Sequence, residues 1–316
     1  MKLRINGIWN LTVVVTLAAM MSLPALAATE GHGKAVVTVT NKHDKATPIT
    51  VPEKDLKLKV DGRVATIDHW APATDPMQVV LLIDNSARGS LGTQLPDMRE
   101  FIRSLPASAE VGVAYMENGR AVFASPLTAD KEAAVKGLRL PSGTPGSSGS
   151  PYFCLSDLAK HWPSHDMNAR REVIMITDGV DNYHPRFDPN DPYVQAAIRD
   201  SVKAGLVVYS IYWSSAGVPG GSMYGSTVGQ SLLLQVSQAT GGEAYWQGFS
   251  NPVSFAPYFK EMKQAFGEQY NLEFHAPLRG KKAYDARMRL KASTPGAKVK
   301  GPDRVWLAPP GATENQ

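Results

Sequence analysis

Cysteine is nearly missing from this chain. Cys154 is the single one in 316 residues, so no disulfide can form within the molecule and cysteine-based metal sites are excluded. A lone cysteine of this kind reads as a small buried apolar side chain. The seven histidines show no His-x-x-x-His pair suited to a helix face, and His161 and His165 are separated by Pro163. There is no Gly-x-Ser-x-Gly elbow, no His-Glu-x-x-His and no Gly-Lys-Ser/Thr phosphate loop, which removes the commonest hydrolase and nucleotide-binding readings. Charge of one sign is also scarce. The formal net charge is +4, of which Lys2 and Arg4 supply two units, and no basic run is interleaved with aromatics, so nucleic acid is not an expected partner.

What is present is 43% hydrophobic content, enough for one large domain or a medium domain with a small companion. Lys2 and Arg4 precede an uncharged run from Ile8 to Met21, and Ala25-Leu26-Ala27 supplies a small-x-small site. Residues 1–27 therefore read as a signal peptide, and the expected product is an exported protein, periplasmic or secreted, with no membrane anchor in its mature chain.

Residues 28–70 carry strand periodicity. Val37 and Val39 alternate with Thr38 and Thr40, then Leu56, Leu58 and Val60 with Lys57 and Lys59, and Asp61-Gly62 supplies a tight hairpin turn. From residue 77 to 267 short apolar runs alternate with helical stripes, which predicts a doubly wound, mostly parallel α/β sheet flanked by helices. The period of two returns over 268–308, where Met288 and Leu290 alternate with Arg287, Arg289 and Lys291. Neither flank can hold a core alone, so the two are expected to pair into one small β module, with residues 309–316 as a disordered tail. Lys57, Lys59, Arg287, Arg289 and Lys291 read as solvated faces and protected edges of strands rather than as an anion-binding patch.

The centre of the α/β region is Val79-Val80-Leu81-Leu82-Ile83, a run suited to a strand buried on both faces. It ends abruptly in Asp84-Asn85-Ser86. A second such run, Glu172 to Ile176, ends in Thr177-Asp178-Gly179. Segments that follow parallel strands emerge at one edge of the sheet, where open α/β folds place their ligands. Asp84, Asp178 and the loop after Trp213 should therefore converge, and their oxygens suit a hard cation such as Mg²⁺ or Ca²⁺.

Asp84-x-Ser86, the Gly/Ser/Thr loop from Pro141 to Gly149 and Thr177-Asp178-Gly179, in that order, resemble a von Willebrand factor type A (VWFA) domain over roughly residues 77–266. Val36-Val37-Thr38-Val39-Thr40, Asp61-Gly62-Arg63, Ala239-Thr240-Gly241-Gly242 and Gln269-Tyr270-Asn271-Leu272 are similar to the secreted VWFA-related proteins first described in acidobacteria. The resemblance implies a metal-ion-dependent adhesion site (MIDAS) holding Mg²⁺, Mn²⁺ or Ca²⁺, with an open position for a partner's carboxylate. Carried over to this chain, its ligands are Asp84, Ser86 and Asp178, with Ser150 preferred for the middle loop and Thr144 as its rival. Arg88 stands where the family has a second serine, and Ser90 lies two residues further on.

Two carboxylates at the rim of a low-dielectric core raise one another's pKa unless a positive charge lies between them. A divalent cation is one solution, and the Arg88 guanidinium is the other. Around the site, Tyr183, His184, Arg186 and Phe187, then Met223 and Tyr224 in a Gly/Ser-rich loop, supply contact groups of the kind that binding loops carry. The expected function is a non-enzymatic module that captures a protein or peptide through this edge. The alternatives are a metal-independent scaffold whose site is filled by Arg88, and a metal-assisted hydrolase with His184 as base.

Overall fold

The computed structural model describes residues 29–44, 47–87, 89–144, 147–184, 188–214 and 223–311. Strand β1 (Glu30–Asn41) opens the chain, followed by β2 (Leu56–Val60), β3 (Arg63–Val64) and β4 (Thr66–Pro72). The α/β region then runs β5 (Met77–Asp84), α1 (Leu95–Ser104), β6 (Glu110–Glu117), β7 (Arg120–Thr128), α2 (Lys131–Lys136) and α3 (Pro151–Lys160). It continues with β8 (Arg170–Thr177), α4 (Pro192–Lys203), β9 (Leu206–Tyr212), α5 (Met223–Thr240), β10 (Ala244–Tyr245) and α6 (Ala256–Gly267). Strands β11 (Gln269–Pro277), β12 (Tyr284–Ala292), β13 (Ala297–Lys300) and β14 (Arg304–Leu307) close the chain.

The central sheet has the order β10-β9-β8-β5-β6-β7, parallel except for β7 at one edge. Every residue of β5 is buried, because helices cover both faces. Val79, Leu81 and Ile83 face Met98 and Ile102 of α1 and Phe259 and Met262 of α6. Val80 and Leu82 face Tyr152 and Leu155 of α3, Ile198 of α4 and Leu232 of α5. A strand covered on both faces needs an unbroken apolar run rather than alternation, which is what its sequence supplies.

The helix expected after β5 begins as a 3-10 turn over Gly89–Gln94 and becomes α-helical only at Leu95. Gly89 and Gly92 weaken the segment before Leu95, and Pro96 suits the first turn of an α-helix, where its missing N–H is not needed. Asp130 and Ser150 cap α2 and α3 with their side chains. Cys154 is fully buried, and burial pushes its thiol well above the ordinary range, which makes it chemically inert.

The flanks form two four-stranded antiparallel sheets, β13-β1-β11-β4 and β14-β12-β2-β3. They pack face to face through Val37, Leu272 and Phe274 on one side and Leu58, Val60 and Met288 on the other. Asp61 and Gly62 both have positive φ, 50° and 80°, so the hairpin turn from β2 to β3 takes the twist its neighbours need. The chain then leaves that sheet at Ala65, and β4 pairs with β11 in the opposite one. The sandwich is joined to the α/β unit by polar contacts. Gln269 Nε2 donates to Glu172 Oε1 at 2.8 Å, Arg170 donates to Gln269 Oε1, and Lys300 pairs with Glu243.

Candidate functional site

Asp84 is the last residue of β5 and is 2% exposed. Its Oδ1 accepts from the backbone N–H of Ser86 at 2.9 Å and from Ser86 Oγ at 2.6 Å. Its Oδ2 accepts from Thr177 Oγ1 at 2.7 Å. The parallel register that pairs Ile83 with Ile176 brings the next residues, Asp84 and Thr177, side by side. First and third motifs are thus joined by one direct hydrogen bond. Sequence reasoning quoted Thr177 but gave it no role; its place at the end of the neighbouring strand was the available signal. Thr177→Val keeps the shape and removes the donor. It is expected to cost about 1–3 kcal/mol, read as a lower midpoint in urea unfolding with an unchanged slope.

The loop after β8 is tightly tied. Val180 N–H donates to Asp178 Oδ1 at 3.0 Å, and Gly179 N–H to Thr177 Oγ1 at 3.2 Å. Asp181, 1% exposed, accepts from Ser150 Oγ at 2.9 Å through Oδ2 and from Tyr183 N–H at 2.8 Å through Oδ1. Ser150 therefore caps α3 and bonds Asp181, whereas Ser86 bonds Asp84. Asp181 was not foreseen, although an acid three residues after Asp178 stands in plain view.

Thr144 is exposed. Its loop is held by Asn85, whose Oδ1 accepts from Ser142 N–H at 3.1 Å and whose carbonyl accepts from Gly143 N–H at 3.0 Å. Asn85 Oδ1 also accepts from Arg139 at 3.2 Å, and Arg139 pairs with Glu117 at 3.1 Å while lying 4.0 Å over the Tyr115 ring. Arg139 thus brings a cation to the first motif that the sequence did not single out. Arg88 lies outside the described residues.

Burial pushes the Tyr152 phenol well up, and the charges of Asp178, Asp181 and Asp191 push it further. Its hydroxyl donates to the Gly179 carbonyl at 2.7 Å and so supports the acidic loop from beneath.

Of the proposed contact groups, Tyr183 is 62% exposed and leans on Phe153, with ring centroids 5.5 Å apart. His184 stacks on Tyr193, and its Nδ1 lies 2.9 Å from Asp191 Oδ2, the carboxylate that caps α4. Arg186 and Phe187 lie outside the described residues. Met223 and Tyr224, 68% and 58% exposed, stand on the first turn of α5 rather than in a loop. This corrects the sequence reading. The helix tolerates Gly225 and Gly229, and at Gly229 it needs the missing side chain, because a Cβ there would lie 1.9 Å from the Asp178 carbonyl oxygen.

No family model matches the chain, and no curated protein matches it. Among solved structures it is similar to an aerotolerance-related membrane protein from Bacteroides fragilis, at 14% identity over 60% of this chain and 98% of that one, with a TM-score of 0.43. It is similar to the manganese-loaded TRAP protein of Plasmodium vivax, at 14% identity over 78% of this chain and 97% of that one, with a TM-score of 0.42. It is also similar to proximal thread matrix protein 1 of the mussel byssus, described with a zinc-occupied MIDAS motif, at 12% identity over 66% and 49% of the two chains, with a TM-score of 0.41. These are likenesses of general architecture, and none transfers a ligand or an activity. The sheet is doubly wound on its own strand order.

The side chains at the edge, Asp84, Ser86, Ser150, Thr177, Asp178 and Asp181, offer oxygen alone, the donor type a hard divalent cation takes. The set fits such an ion in kind. Among the described residues no three His, Cys, Asp or Glu side chains converge to hold a metal, so a cation here would depend on hydroxyls beside the two strand-end carboxylates.

Proposed function

We propose that this protein is an exported, non-enzymatic binding module that captures a protein or peptide through the edge built by Asp84 and the Asp178 loop. The observation that carries this reading is the direct Thr177 to Asp84 hydrogen bond, which ties the buried end of β5 to the end of β8, next to the half-buried Asp178, at the sheet edge. An oxygen-rich, negatively charged rim together with exposed Tyr183, Met223 and Tyr224 on the segments that follow β8 and β9 supports recognition, since aromatic and methionine side chains are enriched in contact surfaces. Asp84, Ser86 and Asp178, with Ser150 or Thr144, would hold Mg²⁺, Mn²⁺ or Ca²⁺. The ion when bound supplies an open coordination position for a partner's carboxylate. The protein's own part is to keep the donors in place through the Ser86, Thr177 and Asp181 hydrogen bonds. For His184, the pairing with Asp191 and Tyr193 supports a role in holding the α4 cap rather than one as a catalytic base.

The test is calorimetric titration of the three cations into chelator-stripped protein, followed by panning of a displayed peptide library with and without Mg²⁺. Saturable binding lost in Asp84→Ala, with acidic peptides enriched only on the wild type, is the expected result. Absent cation binding together with identical enrichment on Asp84→Ala would overturn the reading. Cation binding that emerges only in Arg88→Ser would instead assign the site to the arginine-filled scaffold.

A further inference from the structure

Strands β2 and β12 each alternate, and the fold decides what their outward faces do together. Leu58, Val60, Met288 and Ala286 turn into the sandwich core, which sends Lys57, Lys59, Arg287, Arg289 and Lys291 outward. The register then stacks like charges. Arg289 stands opposite Lys59 and Lys291 opposite Lys57, while on the other side of β12 Arg287 stands opposite Arg304. Like charges directly opposite one another on a sheet are destabilising. Three such pairs in succession on one face are therefore not accounted for by folding. Arg304 bonds Asp285 and Arg289 lies within electrostatic reach of Asp303, but no direct salt bridge is formed among the described residues by Lys57, Lys59, Arg287, Arg289 or Lys291.

This ladder runs into a cleft of about 370 Å³ between the outer sheet and helices α4 and α5. Arg287, Arg289 and Arg304 line one wall, and Gln195, Ser231 and Gln238 line the other, with Asp303 as the one acid. Two of its lining side chains have buried atoms without a hydrogen-bond partner among the described residues, Arg304 Nε and Gln235 Oε1. A guanidinium nitrogen can only donate and an amide oxygen can only accept. One calls for an anionic or carbonyl oxygen, the other for a hydroxyl or amine, and leaving either unmet costs free energy. A ligand carrying carboxylates and hydroxyls on the same unit matches this mixed lining of guanidinium, amide and hydroxyl groups.

We propose that the cleft and the cation ladder form a binding site for an acidic polysaccharide, with one charged sugar seated between Arg287, Arg289 and Gln235 and the chain continuing over Lys291, Lys59 and Lys57. Along a strand the outward residues repeat every ~6.8 Å and neighbouring strands lie ~4.8 Å apart, the length scale of one pyranose unit. The site is separate from the Asp84 edge and stands whether or not that edge binds a cation.

The experiment measures binding of the folded protein to polygalacturonate, with polyglutamate and dextran as comparisons. Polyglutamate carries carboxylates without sugar hydroxyls, and dextran carries hydroxyls without charge. Wild type is expected to bind polygalacturonate in a manner that weakens as salt rises from about 0.05 to about 0.5 M, to bind polyglutamate at least about tenfold more weakly, and to leave dextran unbound. The double variant Arg287→Gln, Arg289→Gln is expected to lose about tenfold or more, since each replaced charge removes a charge-assisted contact. Both side chains are exposed on the strand and their removal relieves like-charge pairs, so a melting temperature no lower than that of wild type serves as the folding control. Lys57→Gln with Lys59→Gln gives a second variant, expected to weaken long polymers more than a single galacturonate. The proposal is overturned if wild type does not bind polygalacturonate, if polyglutamate binds equally well, which would mark the face as a site for acidic polypeptides, or if the double variant binds unchanged.

Discussion

Glu172→Gln is expected to make the protein more stable at pH 8 by about 3 kcal/mol and to flatten its dependence on pH. Glu172 is 0% exposed at the seam between the α/β unit and the outer sandwich. Burial pushes its carboxyl from an ordinary 4.5 up to about 7, against the pull of the Gln269 hydrogen bond and the Arg170 charge. Only one of its oxygens is satisfied; Oε2 has no hydrogen-bond partner among the described residues. Between pH 4.5 and about 7 the folded protein holds a proton that the unfolded chain has released. Stability therefore falls as pH rises through that window and stays low above it. Glutamine keeps the shape and an acceptor for Gln269 while removing the charge. Denaturant midpoints measured from pH 4 to pH 8 decide the matter: wild type should decline across the window and Glu172→Gln should not. A wild type as stable at pH 8 as at pH 5 would show that the buried acid is compensated elsewhere.

Gly229→Ala is expected to destabilise by at least about 2 kcal/mol, although alanine is the better helix former by ~1 kcal/mol. The glycine sits where α5 crosses the acidic loop, and a Cβ would fall 1.9 Å from the Asp178 carbonyl oxygen and 3.1 Å from its carbonyl carbon. The loop cannot retreat easily, because Thr177, Asp178 and Asp181 are each held by the hydrogen bonds that define the site. Gly179 meets the same wall from the other side, its own Cβ position lying 2.7 Å from the Gly229 carbonyl oxygen at a φ of 69°. Gly267→Ala, at the end of α6 with nothing within 4 Å of its Cβ position, provides the internal comparison. It is expected to be neutral or to gain up to about 1 kcal/mol. Loss of cation binding in Gly229→Ala beyond the loss of stability would locate the damage at the loop rather than in the helix.

The parts of the fold that could be read in advance are those set by local chemistry. Unbroken apolar runs marked β5 and β8 as strands buried on both faces. Asp61-Gly62 announced a tight turn, and both residues take the positive φ it needs. What escaped were choices made between segments. An alternating strand has the same period in either sheet, so nothing local told β4 to leave β3 and pair with β11. The early start of α5 was hidden by glycines that weaken helices in general but are required here by a close approach. The outer strands β13 and β14 are four residues each among prolines and glycines, too short to show a period. At the candidate site, strand ends placed Asp84 and Asp178 on one edge, but which hydroxyl meets which carboxylate is decided by shifts smaller than one residue. That is why Thr177 and Asp181 had to be found in three dimensions, and why the outward lysines and arginines looked dispersed until the register of β2 against β12 aligned them.

The pairing of Glu30 with Pro277 and of Leu56 with Ala292 means that the outer sandwich is made from the two ends of the chain, with the α/β unit threaded between them. Its closure must wait until nearly all of the polypeptide has been delivered, whereas β5, β6 and β8 pair across much smaller separations along the chain. During that interval β1 and β2 carry apolar faces and unpaired edges, the features that invite wrong partners. Loss of the last forty residues would strip β12, β13 and β14 from both outer sheets at once. A protease meeting an unfinished or truncated chain would find it open, and one meeting a finished chain would find it shut.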